Sequence, residues 1–362
     1  MLFEIIAVFS LAIIVFSFSP LRRVFLPAPA VEKDFIFAGK RIEYFDFLKG
    51  VAILAVIVTH IVYLSVKTLK VEDPLFLFTL NNLARFAIPF FLVISGILSA
   101  WKYENKINLG RYYLGKFFRI YLPFAFFTML VLFLHSKDIK DLSKFLINGQ
   151  VLTPYYFIIL ILQLYILFPL LRFFKDSRGF LVLSFFISLF FFSFNQFNYL
   201  GEIILFPSYL FFFVYGMYYR NNFIKYEADK TAVKYWGLII FLYITISFIL
   251  PAHYFNFRPF YGLAVFNLFF IYKDKIIAKL DNVYGVICDA GKNSLWIYFT
   301  HFSLLTGLFY LANLFTKDLY ATVLIIFFVS LPLSYWLGKL TGWLYNKISY
   351  ILKPKYGTED AK

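Results

Sequence analysis

Apolar runs long enough to cross a bilayer recur along this chain from one end to the other, and few folds can accommodate that recurrence. A hydrocarbon core is about 30 Å thick and takes roughly 20 predominantly apolar residues of helix to span. Run length and flanking charge predict eleven spans, near 2–19, 45–65, 84–101, 117–135, 151–171, 179–197, 203–219, 235–251, 258–272, 294–313 and 319–342. The chain is 62% apolar and 15% charged, and a soluble domain of 362 residues could not hide that much apolar surface. The expected fold class is all-α, a polytopic membrane protein with about ten core transmembrane helices plus one N-terminal transmembrane helix.

The formal net charge of +15 suggests nucleic acid until its distribution is considered. One set of loops holds Arg22, Arg23, Lys33, Lys40 and Arg41, then Lys102, Lys106, Arg111 and Lys116, then Arg172, Lys175 and Arg178. It continues through Arg220, Lys225, Lys230 and Lys234, then Lys273, Lys275, Lys279 and Lys292, and the C-terminal lysines. The alternate set holds only Lys67, Lys70, Lys137, Lys140, Lys144, Arg258 and Lys317. The richer set is cytoplasmic by the positive-inside rule, so the charge reads as topology rather than nucleic-acid binding. The first span has no basic residues ahead of it and two arginines behind it, which orients its N-terminus outward. Cleavage after Ala28-Pro29-Ala30 would put Lys33, Lys40 and Arg41 outside, so that span is expected to stay. The layout is then an N-terminal helix and basic linker over 1–44, a ten-span domain over 45–345 and a cytoplasmic tail over 346–362. Both the localisation, plasma (inner) membrane, and the orientation, N-terminus outside and C-terminus cytoplasmic, rest on this parity. Cys288 is the sole cysteine, which excludes an internal disulfide and reads as an inert thiol.

Two ionisable residues stand inside the second span. Lys49 and His60 are eleven residues apart, close to three helical turns, so they share a face about 16 Å apart along the axis. Such groups inside a membrane helix cost a few kcal/mol at least and usually face a polar cavity. Neutral imidazole can accept a proton from a hydroxyl near neutral pH. His60 alone reads as readily as a packing histidine; Lys49 on the same face favours a functional interior. Glu43 and Asp46 are spaced to pair with Lys49, and Glu202 is the other carboxylate near a span.

Further along, Arg85 falls near the outer surface, where it could hold an anion or a sugar or reach to the headgroups. Pro89 removes one helical hydrogen bond, and Gly96 admits a close helix approach. Lys116 and Arg119 share a helix face by their spacing of three. They suit a phosphate group, and they equally suit ordinary anchoring at the cytoplasmic face. His301, within the tenth span, reads alone as a satisfied core histidine. No metal-ligand spacing, phosphate-binding glycine loop or nucleophile elbow occurs, so no metal is expected.

In this order the residues resemble the acyltransferase-3 family of membrane O-acyltransferases. The family's first core helix carries Arg or Lys, ten residues, then His, as Lys49 and His60 do. Its second reads like Arg-Phe-x-x-Pro-x-Phe-Phe-x-x-Ser-Gly, which Arg85, Phe86, Pro89, Phe91, Ser95 and Gly96 fit. Its third opens with Arg-x-x-Arg before Ile-x-x-Pro, matched by Lys116, Arg119, Ile120 and Pro123 with lysine in the first place. Residues Tyr156 to Pro169 resemble its aromatic-rich helix, and Tyr298 to His301 its late Tyr-Leu-Leu-His stretch. The resemblance covers about 45–345.

It implies transfer of an acyl group, acetyl first among candidates, from cytoplasmic acyl-CoA to a hydroxyl of a cell-envelope carbohydrate or its lipid-linked precursor. It implies His60 and Lys49 as catalytic, Lys116 and Arg119 as the coenzyme A site, and Arg85, Ser95, Tyr156 and His301 as acceptor-binding. Lysine at 116 keeps the charge but lacks the two-pronged fork of arginine. Beyond the acceptor the partners are membrane lipids. Some family members carry an extra domain that takes over the acyl group; none is visible here, so the chain is expected to act alone or with an unlinked partner. A polysaccharide exporter or flippase is the competing class. It would need a polar lining but no proton acceptor at a fixed spacing.

Overall fold

A computed structural model describes residues 42–69, 75–134, 139–193, 199–200, 203–223, 230–249, 258–316 and 318–352. The predicted first span, the linker before residue 42, Glu202 and the C-terminal tail from 353 lie outside the described residues. The helices in chain order are α1 (Glu43–Leu69), α2 (Leu75–Ala84), α3 (Ala87–Lys102), α4 (Leu109–Lys116), α5 (Leu122–Leu134), α6 (Leu142–Asn148) and α7 (Tyr156–Leu171). There follow α8 (Arg178–Ser193), α9 (Leu210–Tyr218), α10 (Lys230–Ile249), α11 (Arg258–Ile271), α12 (Lys273–Lys292), α13 (Ser294–Phe315) and α14 (Leu319–Leu352). Among the described residues, six helical stretches are long and apolar enough to cross a membrane: Glu43–Thr68, Leu75–Lys102, Leu109–Leu134, Thr153–Phe174, Ser294–Phe315 and Leu319–Ile348. Shorter apolar helices cover Arg178–Phe192, Val233–Thr245 and Phe260–Ile271. The protein is an all-α, multi-pass membrane protein, and each of the ten predicted core spans overlaps a helix.

The span predicted over 203–219 needs correcting. Strands Tyr199–Leu200 and Ile203–Ile204 form a small antiparallel hairpin, and a 3-10 turn Phe206–Tyr209 precedes the nine-residue α9. Pro207 has no N–H to donate into a longer helix. The stretch read as a loop after residue 272 is also helical. It forms α12, broken at Asp281, whose φ of +37° lies in a region that side chains other than glycine rarely adopt.

The chain packs as two compact units. The first takes residues 42–45 together with the described part of Asn81–Asp281. Its centre is the crossing of α3 and α9. A Cβ on Gly96 would lie 2.1 Å from the Phe213 carbonyl oxygen, and one on Gly216 would lie 2.1 Å from that of Val93. Only glycine permits that approach on both sides. Phe90, Phe212, Phe213 and Phe266 fill the surrounding core. Polar chemistry ties three chain segments at one end of this unit. Arg220, almost fully buried, donates to both carboxylate oxygens of Glu104 at 3.0 and 3.1 Å and pairs with Asp176 at 2.8 Å. Lys175 also bonds Glu104, and Arg172 donates to the Asn105 carbonyl at 3.2 Å. Burial alone would raise the Glu104 carboxyl, but hydrogen bonds from Arg220 and then Lys175 outweigh it and hold the group below its ordinary value.

The second unit comprises Asp46–Leu80 and Asn282–Lys362. Here α1 meets the later half of α12 through paired glycines. A Cβ on Gly50 would lie 2.0 Å from the Ile287 oxygen, and one on Gly291 would lie 1.7 Å from the Asp46 oxygen. The same economy brings α13 against α14, where Gly338 faces Ile297 and Gly342 faces Trp296. The outward side of α13 and α14 exposes Tyr310, Phe315, Phe328, Trp336 and Trp343. Apolar and aromatic faces of this kind suit lipid rather than water.

Candidate functional site

In the second unit His60 and His301 come together, though they are far apart in sequence. Their ring centroids are 5.3 Å apart, with the planes tilted by 34°. Phe302 stands edge-on to His60 at 5.3 Å, and Tyr298 lies 5.7 Å from His301. His301 is fully buried, while His60 is half-buried. Nδ1 of His301 lies 2.8 Å from the Tyr298 carbonyl oxygen and 3.2 Å from that of Ile297. A carbonyl only accepts, so Nδ1 carries the proton and the lone pair of the neutral ring sits on Nε2. That Nε2 has no hydrogen-bond partner among the described residues.

Lys49 pairs with Asp46 at 3.3 Å, and Asp46 is buried to 1% exposure. Asp46 is one of the two partners, with Glu43, anticipated from spacing. The helix keeps Lys49 about 16 Å from His60, so the two do not meet at one reacting atom. At the same end of the unit, Asp289 accepts hydrogen bonds from Tyr335 at 2.6 Å and Lys339 at 2.9 Å.

In the first unit, Lys116 and Arg119 are separated by a change of helical register. Residues Phe117–Tyr121 form one turn of π-helix between α4 and α5. Pro123 explains it: its ring crowds the carbonyl of Arg119 four residues earlier and supplies no N–H, so the turn widens. The turn changes the register between them, yet Arg119 stays within electrostatic reach of both Lys116 and the Tyr165 hydroxyl. Arg119 is exposed. The Lys116 ammonium turns inward, 3.3 Å from the Tyr165 ring centroid and 5.5 Å from that of Tyr112. Tyr112 in turn donates to the Tyr165 carbonyl at 2.7 Å, and Ser95 lies beside the Tyr165 hydroxyl. Ser95, Tyr165, Tyr112 and Lys116 therefore form one cluster. Arg85 and Tyr156 are not part of it. Arg85 sits in the break between α2 and α3, four residues before Pro89, with a buried Nε that has no partner among the described residues. Tyr156 opens α7, about 14 Å from Tyr165 along the helix.

A family model described as an acyltransferase domain matches residues 42–339. The chain belongs to the acyltransferase-3 family. No curated protein and no solved structure matches it. The match decides between the two classes that the sequence left open: this is an acyltransferase rather than an exporter without chemistry. In this acyltransferase the tyrosine cage around Lys116 was missed from sequence, although Tyr112 stands four residues before Lys116 on one helical face and carried the signal. The pairing of His301 with His60 had no local signal.

Proposed function

We propose that this membrane acyltransferase moves an acyl group, acetyl in the simplest case, from cytoplasmic acyl-CoA to a hydroxyl of a cell-envelope carbohydrate or its lipid-linked precursor. The observation that carries the reading is the histidine pair: an imidazole is the side chain suited to take a proton from a hydroxyl near neutral pH, and here one is backed by a second. In the proposed step His60 removes the proton of the acceptor hydroxyl as its oxygen bonds to the thioester carbonyl carbon. The C–S bond then breaks, and the thiolate leaves and takes up the proton. Arg119 and Lys116 are proposed to hold a phosphate of coenzyme A. Arg119 supplies the exposed fork, and Lys116 supplies charge from within its tyrosine cage. Lys49, held by Asp46 on the same helix as His60, is proposed to contribute positive potential to the reaction. Arg85, Ser95 and Tyr156 are proposed to contact the acceptor.

The layout is part of the same proposal: an added anchor over 1–44, the acyltransferase core over 45–345, a tail over 346–362 and residence in the plasma membrane. Purified protein in detergent, given radiolabelled acetyl-CoA, should release coenzyme A. Envelope polysaccharide from cells with the protein should be heavier by one acyl group per modified sugar than polysaccharide from cells without it. An unchanged polysaccharide mass together with no thioester turnover would overturn the reading.

A further inference from the structure

The mechanism just described uses one histidine, yet the second is more deeply buried and more tightly held. His301 is fully buried, and its Nδ1 proton is committed to the Tyr298 carbonyl at 2.8 Å. Its Nε2 lone pair has no hydrogen-bond partner among the described residues. Leaving a polar atom buried and unpaired is costly, so such an atom asks for an explanation. The nearest ring able to donate to it is His60. Imidazole nitrogens lie a little over 1 Å from their ring centroid. Two rings at the observed 5.3 Å, turned edge to edge, would therefore leave about 3 Å between nitrogens, within the range of an N–H···N hydrogen bond. Both side chains sit in one compact unit, with Phe302 edge-on to the His60 ring.

We propose that His301 is a positioning residue that acts through His60. When His60 takes the acceptor's hydroxyl proton and becomes an imidazolium, its second N–H turns to the Nε2 lone pair of His301. That bond stabilises the charge and fixes which His60 nitrogen faces the substrate. No proton leaves the pair by this route; it returns from His60 to the departing thiolate. In this role His301 acts on His60 and not on the acceptor, in place of the substrate-binding role expected from sequence. The Tyr298 carbonyl performs the service for His301 that a carboxylate performs for a reacting histidine elsewhere: it selects the tautomer.

This inference rests on the acyl-transfer reading, so its test begins from measured wild-type turnover with acyl-CoA and acceptor. Turnover absent in the wild type would defeat that reading itself, whatever the variants do. With turnover present, His301→Met, similar in length but without an acceptor atom, should lower kcat on the order of tenfold or more with KM for both substrates unchanged. His301→Gln can place an amide oxygen near the Nε2 position and should recover most of the loss. His301→Asn ends at the Nδ1 position and should not. In a His60→Ala background, His301→Met should produce no further loss, because a residue acting through His60 has nothing left to act on. All variants are compared at equal monodisperse yield from size exclusion. If His301→Met does not fold, the contrast between Gln and Asn decides. A change confined to KM, equal losses in Gln and Asn, or additive losses in the His60→Ala background would each overturn the proposal.

Discussion

One backbone oxygen, that of Tyr298, decides where His301 carries its lone pair, and in the proposed step that choice bears on His60. His60→Ala should lower acyl transfer by roughly 10²–10⁴, the range for loss of a general base, while the protein still elutes as a folded species. Near-normal transfer would end the assignment of His60. Lys116 asks for a different expectation than its sequence did. Lysine in place of the motif's arginine suggested that Lys116→Arg would be tolerated or slightly improved, since it restores the fork geometry. With the ammonium held 3.3 Å from the Tyr165 ring centroid, a longer and wider guanidinium has no such room. Lys116→Arg should therefore leave donor affinity unchanged or weaker by titration, and a clear gain would show that the cage does not constrain this residue. Changing Lys116 and Arg119 together to Gln should weaken donor binding with little effect on acceptor dependence. Equal donor affinity in wild type and double variant would reduce the pair to a topology signal.

Helices in this protein meet where glycines let backbones touch. Gly50→Val would drive a side chain into the Ile287 carbonyl, where even a Cβ would sit 2.0 Å away, and neither helix can yield without moving the Asp46–Lys49 pair. The expected result is loss of the monodisperse species in detergent; Gly237→Val, where a Cβ meets nothing within 4 Å, should be tolerated by comparison. Near-equal yields of both variants would refute the crossing. The ion network around Arg220 gives an acid dependence of known sign. Glu104 is held below its ordinary value of 4.5, so its contribution is present above that value and is lost as pH falls through the depressed one. Glu104→Gln should melt below wild type at pH 7, and the difference should close as the pH is taken below about 4.5. A gap that stays constant from pH 7 to pH 3 would mean the carboxylate's charge is not what the network uses. The gain is modest in any case, because Glu104 remains 43% exposed and solvent screens it.

For the whole molecule, the alternation of basic loops assigns every connection to one side or the other. The structure bears on that within the first unit: Glu104 after α3, Asp176 after α7 and Arg220 after α9 belong to three loops read as cytoplasmic, and they are bonded to one another. The orientation of the termini follows from the same count. With Phe3→Cys and Thr358→Cys placed singly in a Cys288→Ala background, an impermeant thiol reagent on intact cells should label the first and spare the second. Labelling of both or of neither would mean a miscounted span or a removed first helix. It would also detach Lys116 and Arg119 from the cytoplasmic face.

Run length and flanking charge by themselves located apolar helices in the right order along the core, because crossing a bilayer is a local requirement on each segment. The lysine–histidine spacing on α1 and the Asp46 partner of Lys49 were legible for the same reason: both lie within a few turns of one helix. Which helix meets which was not legible. Phenylalanine-rich faces pack against one another without preference, and glycines such as Gly50 and Gly291 show that a close approach is possible without naming the partner. Only tertiary structure brought His301 to His60, since their contact depends on how α1 and α13 pack rather than on either sequence. Likewise the π-turn at Phe117–Tyr121 was not legible, because a proline's effect on register depends on whether the surrounding packing lets the helix widen or forces it to break.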